Sequence, residues 1–274
     1  MRLDGQGDDS LSVLIKVGGS LGEQAAPLIR PLQNLQNQSR SFVIVHGGGP
    51  RINAALEAAG MKLPFHNGLR RTHSQAMVIV DAVLGFSVNS EWVSLLRANG
   101  IAAVPVHGAK SGLFLAESYE GDHTADWVEA YAGPLEAAFV RHEIPVVAPI
   151  GHNSRGQRMN INADAAAAAL AGSLQVEKLV FCTNVSGIYL NFPYGDRIDS
   201  ITDKKLERLY QQGMFEGGMR PKVEAVLNAL RYKVNAVYVV DGENEAAIEW
   251  AFANHPEEPV SGALGTRITR YLNE

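Results

Sequence analysis

The feature that most constrains this sequence is an alternation of short, β-branched apolar runs with longer Ala- and Leu-rich stretches whose apolar residues recur at helical spacing. Runs at 13–17, 42–46, 102–106, 146–150, 179–183 and 236–240 are apolar almost throughout, without the every-second-residue polarity of a strand that has one wet face. Strands of that kind are buried on both sides, so helices must cover both faces of their sheet. The intervening stretches predict helices near 23–38, 50–60, 74–99, 125–142, 163–173, 203–213 and 218–233. The fold class that follows is α/β with a largely parallel sheet. The stretch 110–122 is less regular and suits a β-hairpin covering part of a site.

With 274 residues, 46% of them hydrophobic, the chain has enough apolar surface for one large domain or two intimate lobes. No repeat, low-complexity tract or Pro-rich linker divides it, so a boundary near 173–177 separates lobes of a single domain, 11–175 and 176–274. The cleft between them is the natural ligand site. A net charge of -5 and a pI near 5.9 give no general attraction to nucleic acid or to an anionic membrane, so an anion site must be local. No apolar run in the sequence approaches a membrane span and the N-terminal residues lack a signal-like apolar core, which predicts a cytoplasmic protein. Cys182, the single cysteine, lies in an apolar run and reads as a buried, inert thiol.

Six segments carry candidate chemistry. Lys16-Val17-Gly18-Gly19-Ser20 follows the first strand; glycines there let backbone N–H groups approach a phosphate, and the lysine adds charge, though a plain tight turn explains the same residues. His46-Gly47-Gly48-Gly49-Pro50 follows the second strand. Three consecutive glycines are entropically costly and favour a turn against which a ligand lies, while Pro50 suits the first turn of a helix. In Asn67-Gly68-Leu69-Arg70-Arg71-Thr72 either arginine is a candidate carboxylate clamp or part of a solvated pair. In Asn160-Ile161-Asn162-Ala163-Asp164, Asn162 suits a helix cap, Asn160 a substrate contact and Asp164 the orientation of cationic groups. Thr183-Asn184-Val185-Ser186-Gly187-Ile188-Tyr189 follows a strand and fits either a nucleotide or an ordinary turn. In Gly217-Gly218-Met219-Arg220-Pro221-Lys222-Val223, a cation in the first helical turns opposes the helix dipole unless an anion shares the site. The loop GxxxxGK[ST] and the fingerprint GxGxxG are both absent, which argues against P-loop and Rossmann nucleotide binding.

Taken in this order, the six segments resemble the amino-acid kinase superfamily, and within it most closely the acetylglutamate kinases, over essentially the whole chain from Val13 to Gly265-Thr266-Arg267-Ile268. The resemblance implies a three-layer αβα sandwich with an open, mainly parallel sheet of about eight strands. It implies ATP-dependent phosphorylation of the side-chain carboxylate of N-acetyl-L-glutamate, a step of arginine biosynthesis, with ATP and a Mg²⁺ held mainly by the phosphates and no protein metal ligands. By the same resemblance Lys16 and Lys222 stabilise the transferring phosphoryl group and Asp164 organises them. Gly47, Gly48, Gly49, Arg70 and Asn160 meet the acyl-amino acid, Arg70 holding its α-carboxylate. Gly18, Gly19, Asn184, Val185, Ser186, Gly187, Ile188, Tyr189, Met214, Phe215 and Glu216 fall in the nucleotide segments.

Two departures stand out. Asn184 replaces an aspartate usual in the family, and the family's Gly-x-Val-Gly element is missing from the stretch that reads GDHTADWV at 121–128. They leave open a kinase of N-acetyl- or carrier-bound aminoadipate in lysine biosynthesis and, more distantly, a non-catalytic amino-acid or nucleotide sensor. The short stretch before the first strand predicts a homodimer without the N-terminal helix of the arginine-inhibited hexamers.

Overall fold

The computed structural model describes residues 13–19, 25–191, 195–253 and 262–271. The described chain enters through β1 (Val13–Val17), crosses by α1 (Ala26–Asn37) to β2 (Phe42–His46), and turns directly into α2 (Gly49–Ala58). A short ribbon, β3 (Phe65–His66) and β4 (Leu69–Arg70), precedes α3 (Ser74–Ala82), a π-helical turn (Val83–Val88) and α4 (Asn89–Ala98). Next come β5 (Ala103–His107), the hairpin of β6 (Phe114–Glu117) and β7 (Trp127–Ala130), α5 (Glu136–Val140) and β8 (Ile144–Ala148). A second hairpin, β9 (Ile150–His152) and β10 (Arg158–Asn160), leads to α6 (Ala163–Leu174) and β11 (Lys178–Thr183). The remainder holds β12 (Ile188–Tyr189), β13 (Arg197–Ile198), β14 (Ser200–Thr202), α7 (Asp203–Gln211), α8 (Met219–Arg231), β15 (Ala236–Asp241), α9 (Glu245–Phe252) and β16 (Gly265–Thr269).

Eight strands form the central sheet in the order β14-β16-β15-β11-β1-β2-β8-β5, and only the β15/β16 pair is antiparallel. Central β1 shows why its sequence is apolar without alternation. Leu14 points into a core layer with Phe181 and the alanines of α6, while Val13, Ile15 and Val17 point into the opposite layer with Leu28, Leu32 and Trp92. All four are fully buried. In α6 the side chains of Ala166, Ala167, Ala168 and Ala171 are buried; their small size lets the helix lie close to the sheet and to α8 with no voids to fill. A second, four-stranded sheet has the order β10-β9-β6-β7. This arrangement is the expected three-layer α/β architecture.

Several expected elements differ. The helix expected over 125–142 is strand β7 followed by the short α5, because the Trp127–Ala130 segment pairs with β6 in the hairpin read only as far as residue 122. The run 146–150 is two strands, β8 in the main sheet and β9 in the second, parted at Pro149, whose missing N–H cannot continue a ladder. Residues 23 and 24 of the first expected helix, and Ser20, lie outside the described residues. The helix expected over 74–99 is one run containing the π-helical turn. That run, Ser74–Ala98, is long and apolar enough to cross a membrane by length and composition alone. It behaves as a core helix: Trp92, Val93 and Leu96 are buried in the layer beneath the sheet.

Candidate active site

Two glycine turns meet at the carboxyl ends of β1 and β2. Val17 and His46 are register partners, and Gly47 N donates to Val17 O at 3.0 Å. A Cβ on Gly19 would sit 2.7 Å from both Gly48 N and Gly49 N, and one on Gly47 would sit 2.9 Å from Gly19 N. The two turns therefore touch backbone to backbone, and only glycine permits it. Gly48 caps α2 and Gly49 begins it, with Pro50 following, so the positive end of the helix dipole faces the same space. His46 supports the turn from below. It is fully buried, with Nδ1 2.9 Å from Gly47 O and Nε2 accepting from Asn89 Nδ2 at 3.0 Å. Burial pulls its pKa down to about 4, so it is a neutral structural group.

Above these turns lies a cluster of three charges. Lys16 Nζ is 2.6 Å from Asp164 Oδ1, and Lys222 Nζ is 3.3 Å from Asp164 Oδ2. Lys16 comes from β1, Asp164 from the first turn of α6 and Lys222 from the first turn of α8. Asn162 does the local work expected of it: its Oδ1 accepts from Asp164 N at 2.9 Å and Ala165 N at 3.3 Å, capping α6 and fixing where Asp164 starts. Burial alone would raise the pKa of Asp164, but Lys16 and then Lys222 outweigh it and hold the carboxyl far below the ordinary carboxylate range. Burial draws the pKa of Lys222 down, against the opposing pull of Asp164. The arrangement presents one carboxylate shared by two ammonium groups, a net positive charge at the mouths of two amide-lined turns. Chemically, such a cluster can hold a larger anion.

That cluster lines a cleft of about 530 Å³, together with Gly18, Gly19, Gly47, Gly48, Gly49, Arg70, Asn160 and Asn184. Arg70 is nearly buried; its guanidinium lies 4.6 Å over the Phe65 ring and Nη2 donates to Asn53 Oδ1 at 2.5 Å. Asn160 Nδ2 donates to Thr72 Oγ1 at 3.0 Å. The ribbon tip reaches the far side of the cleft: Gly68 has φ +78, and a Cβ there would lie 2.9 Å from Pro221 Cγ, beside Lys222.

Other nucleotide-segment residues do not line this cleft. Ile188 is fully buried and donates its N–H to Thr266 Oγ1 at 2.8 Å; Ser186 Oγ and Tyr189 OH bond to each other at 2.7 Å. Gly187 stands against Thr266 and Arg197, Phe215 is buried with Met214 packed against the core, and Glu216 O accepts from Met219 N at 3.1 Å. Val185, too, packs on the core. Cleft residues that sequence reasoning missed include Phe65, Leu84 and Thr124. Phe65 carried a signal, an aromatic residue five positions before an arginine on a short ribbon.

Residues 12–241 match the model of the amino acid kinase family. The chain belongs to the amino acid kinase family. Relatives within it include the acetylglutamate kinase of Geobacillus kaustophilus, 38% identical over 240 residues that cover 85% of this chain and 90% of that protein. The acetylglutamate kinase of Bacillus subtilis is 33% identical over 245 residues, covering 88% and 94% of the two chains. Among solved structures, smu.665 from Streptococcus mutans superposes with a TM-score of 0.79 at 26% identity, covering 95% of this chain and 99% of that one. Carbamate kinase from Giardia lamblia bound to AMP-PNP has the same fold, with a TM-score of 0.65 at 16% identity, 96% of this chain and 99% of that one being covered.

Proposed function

We propose that this chain transfers the γ-phosphoryl group of ATP to the side-chain carboxylate of N-acetyl-L-glutamate, giving an acyl phosphate and ADP. The observation that carries the reading is Asp164 gripped between Lys16 and Lys222 beside two abutting glycine turns, in a chain similar to acetylglutamate kinases over most of its length. A carboxylate nucleophile is already ionised at neutral pH and needs no base. Its oxygen attacks the γ-phosphorus while the bond to the β-phosphate bridging oxygen breaks, and the electron pair leaves with ADP. Both reactants are anionic, so what the protein must supply is alignment and relief of repulsion. Lys16 and Lys222 do this from two sides of the transferring group, and Asp164 keeps their spacing constant. The amides of Gly18, Gly19, Gly47, Gly48 and Gly49 add neutral donors at the phosphates. Arg70 and Asn160 hold the acidic substrate in the first lobe, 11–175, and Asn184, which lines the cleft, meets the nucleotide in the second, 176–274.

Mg²⁺ belongs to this reading as a guest of the nucleotide. Both oxygens of Asp164 are engaged by lysines, and no cluster of three metal-binding side chains occurs among the described residues. The donor set thus fits an ion carried by phosphate oxygens, where it offsets their charge. A homodimer in the cytoplasm completes the proposal; light scattering tests the first half and fractionation the second.

The deciding assay is Mg·ATP-dependent formation of an acyl phosphate, trapped with hydroxylamine, on N-acetylglutamate and N-acetyl-aminoadipate side by side. Hydroxamate from N-acetylglutamate supports the proposal. Hydroxamate only from the longer acid moves the protein to a lysine-pathway reaction, a shift that Asn184 and the altered hairpin permit. Hydroxamate from neither, with nucleotide binding intact, leaves a sensor.

A further inference from the structure

The stretch that departs from the family pattern, residues 121–128, is built into the structure around a residue the proposed mechanism does not use. Arg71 Nε donates to Asp122 Oδ2 at 3.0 Å and Nη2 to Asp122 Oδ1 at 2.8 Å, a two-point grip on one carboxylate. Nη1 donates to Asp126 Oδ1 at 2.9 Å, and Glu120 is 3.3 Å from Nη2. Three carboxylates of the β6–β7 loop, the half-exposed Glu120 and the less exposed Asp122 and Asp126, thus converge on one guanidinium whose side chain is only 11% exposed.

The loop so gathered is part of the cleft wall. Asp122 Oδ1 accepts from Ser118 Oγ at 2.7 Å and Thr124 N at 3.0 Å, and Asp126 Oδ2 accepts from Tyr119 N at 2.8 Å. Thr124, which lines the cleft, accepts from Thr72 N at 2.8 Å and stands 2.9 Å from the Arg70 carbonyl. Backbone bonds join the same turn to its neighbours on both sides: His123 N to Thr72 O and Asn160 N to His123 O, both at 2.8 Å. Asn160 then returns to Thr72 through its side chain. Successive residues of an extended segment point to opposite sides, so Arg70 faces the cleft while Arg71 faces the loop.

We propose that Arg71 is a positioning residue: by gripping Asp122 and Asp126 it presets turn 122–126 between residues 70–72 and Asn160, so that the wall meeting the acidic substrate is assembled before the substrate arrives. This rests on the reading that Arg70 and Asn160 receive the acidic substrate. Without Arg71, Glu120, Asp122 and Asp126 are left to repel one another on a single loop, and the turn is held only by its backbone bonds. Lysine is a partial substitute, since an ammonium reaches one carboxylate but lacks the planar fork that holds two.

The test is Arg71→Met and Arg71→Lys, each measured for steady-state kinetics and for hydrogen exchange of residues 118–126 in the ligand-free protein. The expected result for Arg71→Met is faster exchange in that loop alone and a KM for the acidic substrate raised about tenfold, with kcat and the KM for ATP changed by less than about twofold. Arg71→Lys falls between. An unchanged loop exchange overturns the proposal, as does a fall in kcat and melting temperature accompanied by a rise in both KM values, which marks a merely structural residue. Should Arg71→Met not fold, Asp126→Asn leaves the grip on Asp122 and is expected to shift the same two readouts in the same direction. Failure of the wild type to make an acyl phosphate from either acid counts against the proposed reaction, and loop exchange then decides the role of Arg71 by itself.

Discussion

Asp164 sits between two ammonium groups in a largely enclosed site, so its ionised form is stabilised in the folded chain more than in the unfolded one. Its folded pKa is depressed. The stability it contributes is therefore fully present above the unfolded carboxylate value of about 3.9 and is lost as pH falls toward the lower folded value. Asp164→Asn is expected to lower the urea midpoint at neutral pH, and the gap from wild type should begin to narrow only below about pH 4 and go on narrowing as the pH falls further. The same variant leaves Lys16 and Lys222 facing each other without a counter-ion, so kcat should drop on the order of 10²-fold or more, as it should for Lys16→Ala or Lys222→Ala. A hydroxamate assay with saturating substrates measures all three. At this scale the sequence spoke through mismatch. A lysine in the first turn of a helix opposes the dipole, and that flagged Lys222 before any partner was known; Asp164 is the partner, from a residue 58 positions away. Nothing comparable marked Thr124, whose role depends on contacts with residues 70 and 72 more than fifty positions earlier.

The helix that delivers Asp164 is placed by Asn162. Replacing that cap by alanine should cost about 1 kcal/mol in urea denaturation, while Asn162→Asp, which keeps an acceptor, should cost little. The glycine turns are less forgiving. Gly19→Ala puts a methyl group against the amides of Gly48 and Gly49, and kcat/KM should decrease at least about tenfold as the turns part. Both turns were legible because consecutive glycines after an apolar run have few other uses. The β6–β7 hairpin was legible only in part. Its second strand, WVEA, alternates exposed with half-buried residues, and over four residues such a pattern, followed by an Ala-rich stretch, is as compatible with a helix as with an edge strand. Pairing with β6 settled it, an influence from outside the segment.

On the scale of the molecule, the cleft is bridged at Gly68 and Pro221, where the ribbon that carries Arg70 meets the helix that carries Lys222. Gly68→Ala strains a left-handed turn and pushes on that meeting point, so the KM values for ATP and for the acidic substrate are both expected to rise, by about threefold or more, in two-substrate kinetics. A variant confined to one half would move one of them. The continuous apolar runs foretold a doubly covered sheet, but not its order, since that depends on which crossovers the helices make. Nor did they disclose the antiparallel β16 wedged between β15 and β14, because a five-residue strand near the end of the chain leaves no helical spacing beside it to stand out. Between β1 and β15 in that sheet, β11 carries Cys182, fully buried and with its thiol pushed up to about 12. Such a thiol stays protonated at ordinary pH, and no reagent reaches it while the neighbouring strands remain in place. The unaltered protein consequently contains its own unfolding reporter: the rate at which Cys182 takes up a thiol label counts openings of the central sheet, and a nucleotide that binds the folded chain should slow that clock in proportion to its occupancy.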